Sequence, residues 1–388
     1  MARCDRLGAI SDETGRLTRS FHSPAMRRAN ALVGSWMREA GLDVREDAAF
    51  NLLGRWPSST KRARTLLLGS HLDTVRDAGK YDGPLGVLVA LAAVSHLRAS
   101  GAELPFHVEI AGFSDEEGLR YQTTYLGSRA LAGALSRADL ARIEERGLTR
   151  ARRARDEFVA YLEVHIEQGP VLQDRGLPVG IVSAIAGADR VRVEIEGRAG
   201  HAGTTPMPVR QDALCGAAEL VLAAERCGIV ATVGQAVVEP GASNVIPGRV
   251  GLSLDVRDAS DRRRRQVVRR LERTARSIAA RRGLRLRWTS VQQTDAVRCD
   301  PRLTRLLAES VRRQGVEPLS LSSGAGHDAV ALSAVCPVAM LFVRCRDGIS
   351  HHPAESVRRS DVACAIAVLA DTVSRLPAVA RTGGHSVT

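Results

Sequence analysis

The chain has 388 residues, long enough for a catalytic domain of ordinary size plus a smaller insert. Hydrophobic residues make up 44% but Phe, Trp and Tyr only 3%, so the core must be built from Ala, Val and Leu, and a stacking platform for nucleic-acid bases is disfavoured. The net charge of +12 comes from 55 basic and 43 acidic residues, and every basic residue but Lys61 and Lys80 is Arg, the pattern of an arginine-rich surface rather than of a nucleic-acid groove.

Neither a nucleic-acid partner nor a membrane is expected. The beginning, MARCDRLGAISDETGRLTR, lacks the apolar core of a signal peptide, and no run of eighteen apolar residues follows. Seven cysteines, at 4, 215, 227, 299, 336, 345 and 364, include no close CxxC pair and read as buried free thiols. Both features suit a cytoplasmic setting.

The spacing predicts a helix from Ser23 to Gly41, with Ser23-Pro24 as its start. Arg64 to His71 is a short apolar run ending in polar residues, which reads as a buried strand delivering function at its carboxyl end. A helix from about Pro84 to Ala99 follows, and then FHVEIAGFSDEEG repeats the scheme with acidic residues at the strand tip. Residues 136–158 read as a polar surface helix and linker, after which YLEVHIEQG returns as a strand. Strands alternating with helices point to an α/β sheet whose binding residues gather at the carboxyl ends of the strands.

After Gly187 the rhythm changes to strand 190–196, helix 208–227, strands 229–238 and 249–257, helix 260–282 and strand 284–291. That β-α-β-β-α-β order is the ferredoxin-like split motif, expected as an inserted lid or dimerisation domain over 188–292. Residues 1–187 and 293–388 then form one discontinuous catalytic metal-binding domain. Within the insert, the run Arg262–Arg265 opens an amphipathic helix and reads as a solvated face, with Val267, Leu271, Ala275 and Ile278 on the apolar side. The last expected element is a helix from Ser360 to Leu376, with a frayed tail from Arg381.

Metal-capable side chains recur where strands end: His71 and Asp73 in GSHLDTV, Asp82 in KYDGPLG, Glu116 and Glu117 in SDEEG, His165 in LEVHIEQG, and His351 or His352 in GISHHPAE. Singly each is weak, because a lone His is as readily a satisfied core residue. Together they supply imidazoles and carboxylates in proportions that suit zinc or another late first-row divalent ion.

These segments, with TYLGSRALAG, GRAGHAGTTPM, SNVIPG, DVRD and SGAGHDA in the same order, make the chain resemble the dinuclear amidohydrolases of the M20 peptidase superfamily. The branch is the one holding N-carbamoyl-L-amino acid hydrolases, β-ureidopropionase and allantoate amidohydrolases. The resemblance implies an α/β mixed-sheet dinuclear metallohydrolase domain with the inserted ferredoxin-like lid, two divalent ions per subunit (Zn2+ or Mn2+, with Co2+ possible) and a homodimer through the insert. His71 and His165 match the terminal ligands of one ion, Glu117 and His351 those of the other, and Asp82 the carboxylate shared by both. Asp73 matches a partner for the second ring nitrogen of His71, and Glu116 the general base.

Gln168, His201, Asn244, Arg257 and His327 match substrate-binding positions, with His201 assigned to the oxyanion in the same chain or across a dimer, and Arg257 to a carboxylate. The implied activity is cleavage of a carbamoyl or ureido C–N bond, a linear amide outside peptides, in a small anionic substrate. Allantoate is the leading candidate. N-carbamoyl-L-amino acids are the alternative, followed by a biosynthetic acyl amide and, last, a non-catalytic metal-binding protein. Two positions depart from the pattern: Phe50 stands where Gly often precedes Asn51, and His352 where Asn or Ser is common.

Overall fold

The computed structural model describes residues 1–382, with side chains through Leu376; the remainder of the expected frayed tail lies outside the described residues. The chain divides into two compact units, residues 1–183 with 299–388 and residues 184–298. The smaller unit spans a few residues more at each end than the expected 188–292, and at its boundaries Ala184 and Ile185 pair with Arg298 and Val297.

In chain order the strands are β1 (Asp43–Glu46), β2 (Leu52–Trp56), β3 (Thr65–His71), β4 (His107–Phe113), β5 (Phe158–Ile166), β6 (Val179–Ile185), β7 (Gly187–Glu196), β8 (Gly200–His201), β9 (Val230–Glu239), β10 (Val245–Ile246), β11 (Arg249–Asp258), β12 (Arg285–Thr294), β13 (Val297–Arg298), β14 (Ser320–Ser323) and β15 (Val338–Val343). The larger unit is built on a mixed sheet running β1-β2-β4-β3-β5-β15-β6. Its centre is parallel, with β3 between β4 and β5 and β15 beyond β5, while β2 and β6 join antiparallel.

Every residue of β3 and β15 is buried, which is why TLLLGSH and VAMLFV read as continuous apolar runs rather than alternating ones. The helix Pro84–Ala99 packs its Leu and Val side chains into the same core as the sheet. The first long helix is Pro24–Glu39, where Ser23 Oγ accepts the Met26 N–H at 3.0 Å and Gly41 takes up φ 75° just past the end. The last helix starts at Arg359 and runs on to Thr382, past the expected stop at Leu376.

The smaller unit is a four-stranded antiparallel sheet, β12-β7-β11-β9, with the helices Ala213–Glu225 and Asp261–Arg282 sharing its apolar core. Alternation along β7, with Val191, Val193 and Ile195 buried, selects the face that meets the helices. The short pair β8–β10, which periodicity did not signal, hangs from the end of the sheet where β11 begins. The arginine run departs from a wholly solvated face. Arg264 is fully buried, with Nε 2.5 Å from Asp189 and further ion pairs to Asp261 and Asp295. Its spacing from Val267 and Leu271 turns it to the inner side of the helix, where the aspartates satisfy its charge. Of the cysteines, Cys215 is exposed and Cys364 half-buried; the other five are buried as expected. Among the described residues, no helix is long and apolar enough to cross a membrane.

Candidate dinuclear metal centre

Because β3, β4 and β5 are parallel, their carboxyl ends emerge at one edge of the sheet. His71 closes β3 opposite Phe113, the residue before the Ser114–Glu117 turn. Gly69 pairs with Glu163, so two residues on, His71 comes beside His165, their rings 5.8 Å apart. Asp82 lies on the turn that opens the helix Pro84–Ala99. The next residue must be Gly: Gly83 has φ 80°, and a Cβ there would lie 2.3 Å from His71 Cε1. His351, with φ 56°, follows β15 and is half-exposed.

Asp82 divides its two oxygens. Oδ1 lies 3.0 Å from His165 Nε2 and 3.7 Å from His71 Nε2, whereas Oδ2 lies 3.1 Å from His351 Nε2, which is itself 3.3 Å from Glu117 Oε1. Two groups capable of holding a metal ion share this residue, His71–Asp82–His165 and Asp82–Glu117–His351, each with ligand atoms within 4.8 Å of one another. A third, His71–Glu116–Glu117, sets Glu116 beside both.

The donor set fits two cations. His71 Nδ1 lies 3.0 Å from the Asp73 carbonyl oxygen and His165 Nδ1 3.0 Å from that of Ile166, so each Nδ1 carries a proton and the Nε2 of each ring faces Asp82. Asp82, Glu116 and Asp73 are buried together, an arrangement of like charges that is costly unless positive charge sits among them. The same demand appears in the acid–base balance. Hydrogen bonds to Asp82 and Glu117 push His351 up to about 10. Burial resists ionisation of Asp82, but His165, His351 and His71 outweigh it and hold the carboxyl well below its ordinary range.

Asp73 differs in detail from the expected partner of His71. It is the main-chain oxygen of Asp73 that meets the ring at 3.0 Å, and the nearer carboxylate oxygen is 3.6 Å away. The carboxylate instead accepts the main-chain N–H groups of Glu116 and Glu117, each at 3.1 Å, and so fixes the acidic turn. Burial, reinforced by Glu117, Asp328 and Asp73 against the opposing pull of His71, drives the Glu116 carboxyl well above the ordinary range.

Gln168, at φ 57°, donates from Nε2 to Asp82 Oδ2 at 2.8 Å and to Ser350 Oγ at 3.2 Å. Ser350 Oγ donates to the same Asp82 oxygen at 2.5 Å. His327 is buried with its ring 4.5 Å from that of His165 and Nε2 2.8 Å from Ser323 Oγ. His352 turns away, its Nδ1 accepting the Ala354 N–H, so His351 is the histidine that meets Asp82. Phe50 adopts φ 61°, which accounts for a glycine preference there, and its ring stacks on His22 at 4.0 Å.

Sequence reasoning missed Ser350, Glu355 and the buried pair Glu163 and Asp328. Glu163 Oε1 accepts from Ser70 and Oε2 from the Ala329 N–H, while Asp328 accepts from Ser128. Alternation on β5 put Glu163 on the same face as His165, the one signal that could have found it.

The remaining expected residues lie in the smaller unit. His201 is exposed on β8 opposite Val245, and the neighbouring Asn244 carbonyl accepts the Ala202 N–H at 2.9 Å. Arg257, near the far end of β11, grips Asp255 through Nε at 2.9 Å and a terminal nitrogen at 3.0 Å.

The sheet order, the inserted unit and the shared aspartate define a metallohydrolase architecture, and comparison with known proteins identifies it. Residues 67–375 match the model of peptidase family M20/M25/M40, and the chain belongs to that family. It is 41% identical over 396 residues to an N-carbamoyl-L-amino acid amidohydrolase of Geobacillus stearothermophilus, covering 96% of this chain and 97% of the other. It is 40% identical over 417 residues to a probable allantoate deiminase of Oryza sativa subsp. japonica, covering 93% and 84%. An amidase of the hydantoinase/carbamoylase family from Burkholderia multivorans superimposes with a TM-score of 0.88 at 30% identity, covering 96% of this chain and 95% of that one. The chain is therefore a hydrolase of the hydantoinase/carbamoylase branch.

Proposed function

We propose that the protein cleaves the carbamoyl or ureido C–N bond of a small carboxylate substrate, with allantoate as the leading substrate. The observation that carries the reading is the division of the Asp82 carboxylate between two histidine-bearing groups. His71 and His165 would hold one divalent ion, Glu117 and His351 the other, and Asp82 would bridge them. Bound there, the ions would supply Lewis-acid polarisation of the carbonyl and acidified water.

The chain's own residues supply the rest. Glu116, buried beside both groups, takes the proton from the attacking water and returns it to the departing nitrogen, so that a carbamoyl substrate ends as ammonia, carbon dioxide and the shortened amine. Asp73 holds the Glu116 and Glu117 main chain during that exchange. Gln168 and His327 line the substrate side, and Arg257 offers its planar fork to the substrate carboxylate in place of Asp255.

His201 is proposed to stabilise the developing oxyanion, with Asn244 contacting the substrate beside it. They sit beyond the Arg249 end of β11 and Arg257 near its Asp258 end, on the order of 25 Å away at the rise of an extended strand. One small substrate cannot touch all three from a single copy, which supports a dimer in which each copy lends a residue to the other. The outer edge of β9 is unpaired among the described residues; Val230 and Val237 are exposed on that strand, and Leu214, Val221 and Leu222 are exposed on the helix Ala213–Glu225. Such an apolar edge is a template for pairing with a second copy.

The segments around Asp82 and Glu116, TVRDAGKYDGPLGV and FSDEEGLRYQTTYLGSR, favour allantoate over an N-carbamoyl-L-amino acid. Ammonia release from metal-loaded protein, assayed with allantoate, N-carbamoyl-L-amino acids, N-carbamoyl-β-alanine and N-acetyl controls, tests both. Highest kcat/KM on allantoate supports the leading reading, highest on an N-carbamoyl-L-amino acid supports the alternative, and cleavage of acetyl substrates alone would overturn both.

A further inference from the structure

The loop after β15 carries a buried acid four residues beyond His351. Glu355 is 3% exposed. Its Oε1 accepts the main-chain N–H of Tyr81 at 2.7 Å and of Asp82 at 3.0 Å, while its own N–H donates to the His352 carbonyl at 3.0 Å. It belongs to none of the three groups able to hold an ion. A buried carboxylate without a ligand role is expensive to keep where an apolar side chain would fill the space, so its use lies in the two N–H groups it holds.

Those two groups set the main chain of the residue on which the centre turns. Ser350 and Gln168 fix Oδ2 of the Asp82 side chain, and Glu355 fixes its backbone. The loop bearing His351 is thereby stitched to the turn bearing Asp82, across more than 270 residues of chain. Space is reserved for the stitch: a Cβ at Gly79 would lie 2.4 Å from Glu355 Cβ and 2.5 Å from Oε1, although the Gly79 backbone is not left-handed.

We infer that Glu355 is a positioning residue for the metal centre, which holds Asp82 in register with His351 by accepting the Tyr81 and Asp82 main-chain N–H groups. The inference rests on the proposed dinuclear reading. Displacing the stitch loosens the Asp82–Glu117–His351 half first, because its other members come from separate loops, whereas His71 and His165 are anchored on adjacent strands.

Calorimetric titration of demetallated full-length protein with Zn2+ alone tests this, with kcat and KM measured on the metal-saturated enzyme. Wild type should take up two ions. In Glu355→Ala the affinity of the weaker step should fall about 10–100-fold, the usual effect of losing a residue that orients a ligand, and kcat should fall more than KM changes. Glu355→Gln keeps an acceptor oxygen for both N–H groups and should restore most of that affinity. Gly79→Ala pushes an intact Glu355 aside and should reproduce the Ala defect, and it decides the matter if Glu355→Ala does not fold. Two ions bound at wild-type affinity by Gly79→Ala and by any folded Glu355→Ala would overturn the stitch while leaving the metal centre standing. Gln as damaging as Ala would overturn the acceptor role. Wild-type protein that binds no ion would overturn the metal centre and the role of Glu355 with it.

Discussion

The carboxylate of Asp73 accepts the main-chain N–H of Glu116 at 3.1 Å, and its second oxygen does the same for the residue that follows. A buried acid two residues past a histidine therefore acts mainly on the acidic turn of a neighbouring strand. Asp73→Ala leaves two buried donors unpaired, at about 1–3 kcal/mol for each. A fall in kcat/KM of about 10–100-fold is expected. Asp73→Asn, which retains one acceptor, should fall between that variant and wild type. Equal activity in all three would show that the turn holds itself.

Glu116 can be separated from the ligands by its expected signature. Glu116→Gln keeps shape and should keep metal content, but loses the group that moves the proton, so kcat should drop about 10²–10⁴-fold. Metal analysis beside steady-state kinetics reads both quantities from one preparation.

Asp82 is expected to behave differently from every other acid in the site. Asp82→Ala removes an oxygen from each of the two groups, so the content of both ions should fall together on dialysis. Glu117→Ala should lose mainly one, because His71, His165 and Asp82 remain together. Elemental analysis after dialysis against a weak chelator distinguishes the patterns.

Arg264 offers a test of stability away from chemistry. Replacement by Leu leaves buried Asp189 without its cationic partner and should destabilise the smaller unit by about 3 kcal/mol. Asp261 and Asp295 are more exposed and add less. The shift of the urea midpoint reports the change, and Arg265→Leu, on the solvated side of the same helix, serves as the control.

The edge strand β9 carries the proposed dimer. Val237→Arg places charge on an exposed apolar edge and should convert the protein to monomer in sedimentation measurements while lowering kcat/KM. A monomeric variant with full activity would remove the need for a residue lent across copies.

Much of this was legible from one-dimensional pattern. Apolar runs bounded by glycine marked β3 and the helix Pro84–Ala99, and the strand–helix rhythm marked the inserted sheet, because burial on one face or both leaves a period in the chain. The candidate metal-capable residues were also visible, since metal chemistry restricts donors to few residue types, and the family resemblance singled out those that the carboxyl ends of the parallel strands and the nearby loops bring together.

What pattern does not carry is partnership at long range. That Glu355 grips the Asp82 turn, that Asp73 serves the next strand's main chain and that Arg264 points inward were decided only by tertiary structure. Side-chain identity records which bonds a residue is able to make, whereas the folded chain determines which groups are left, in the absence of water, for it to make them with.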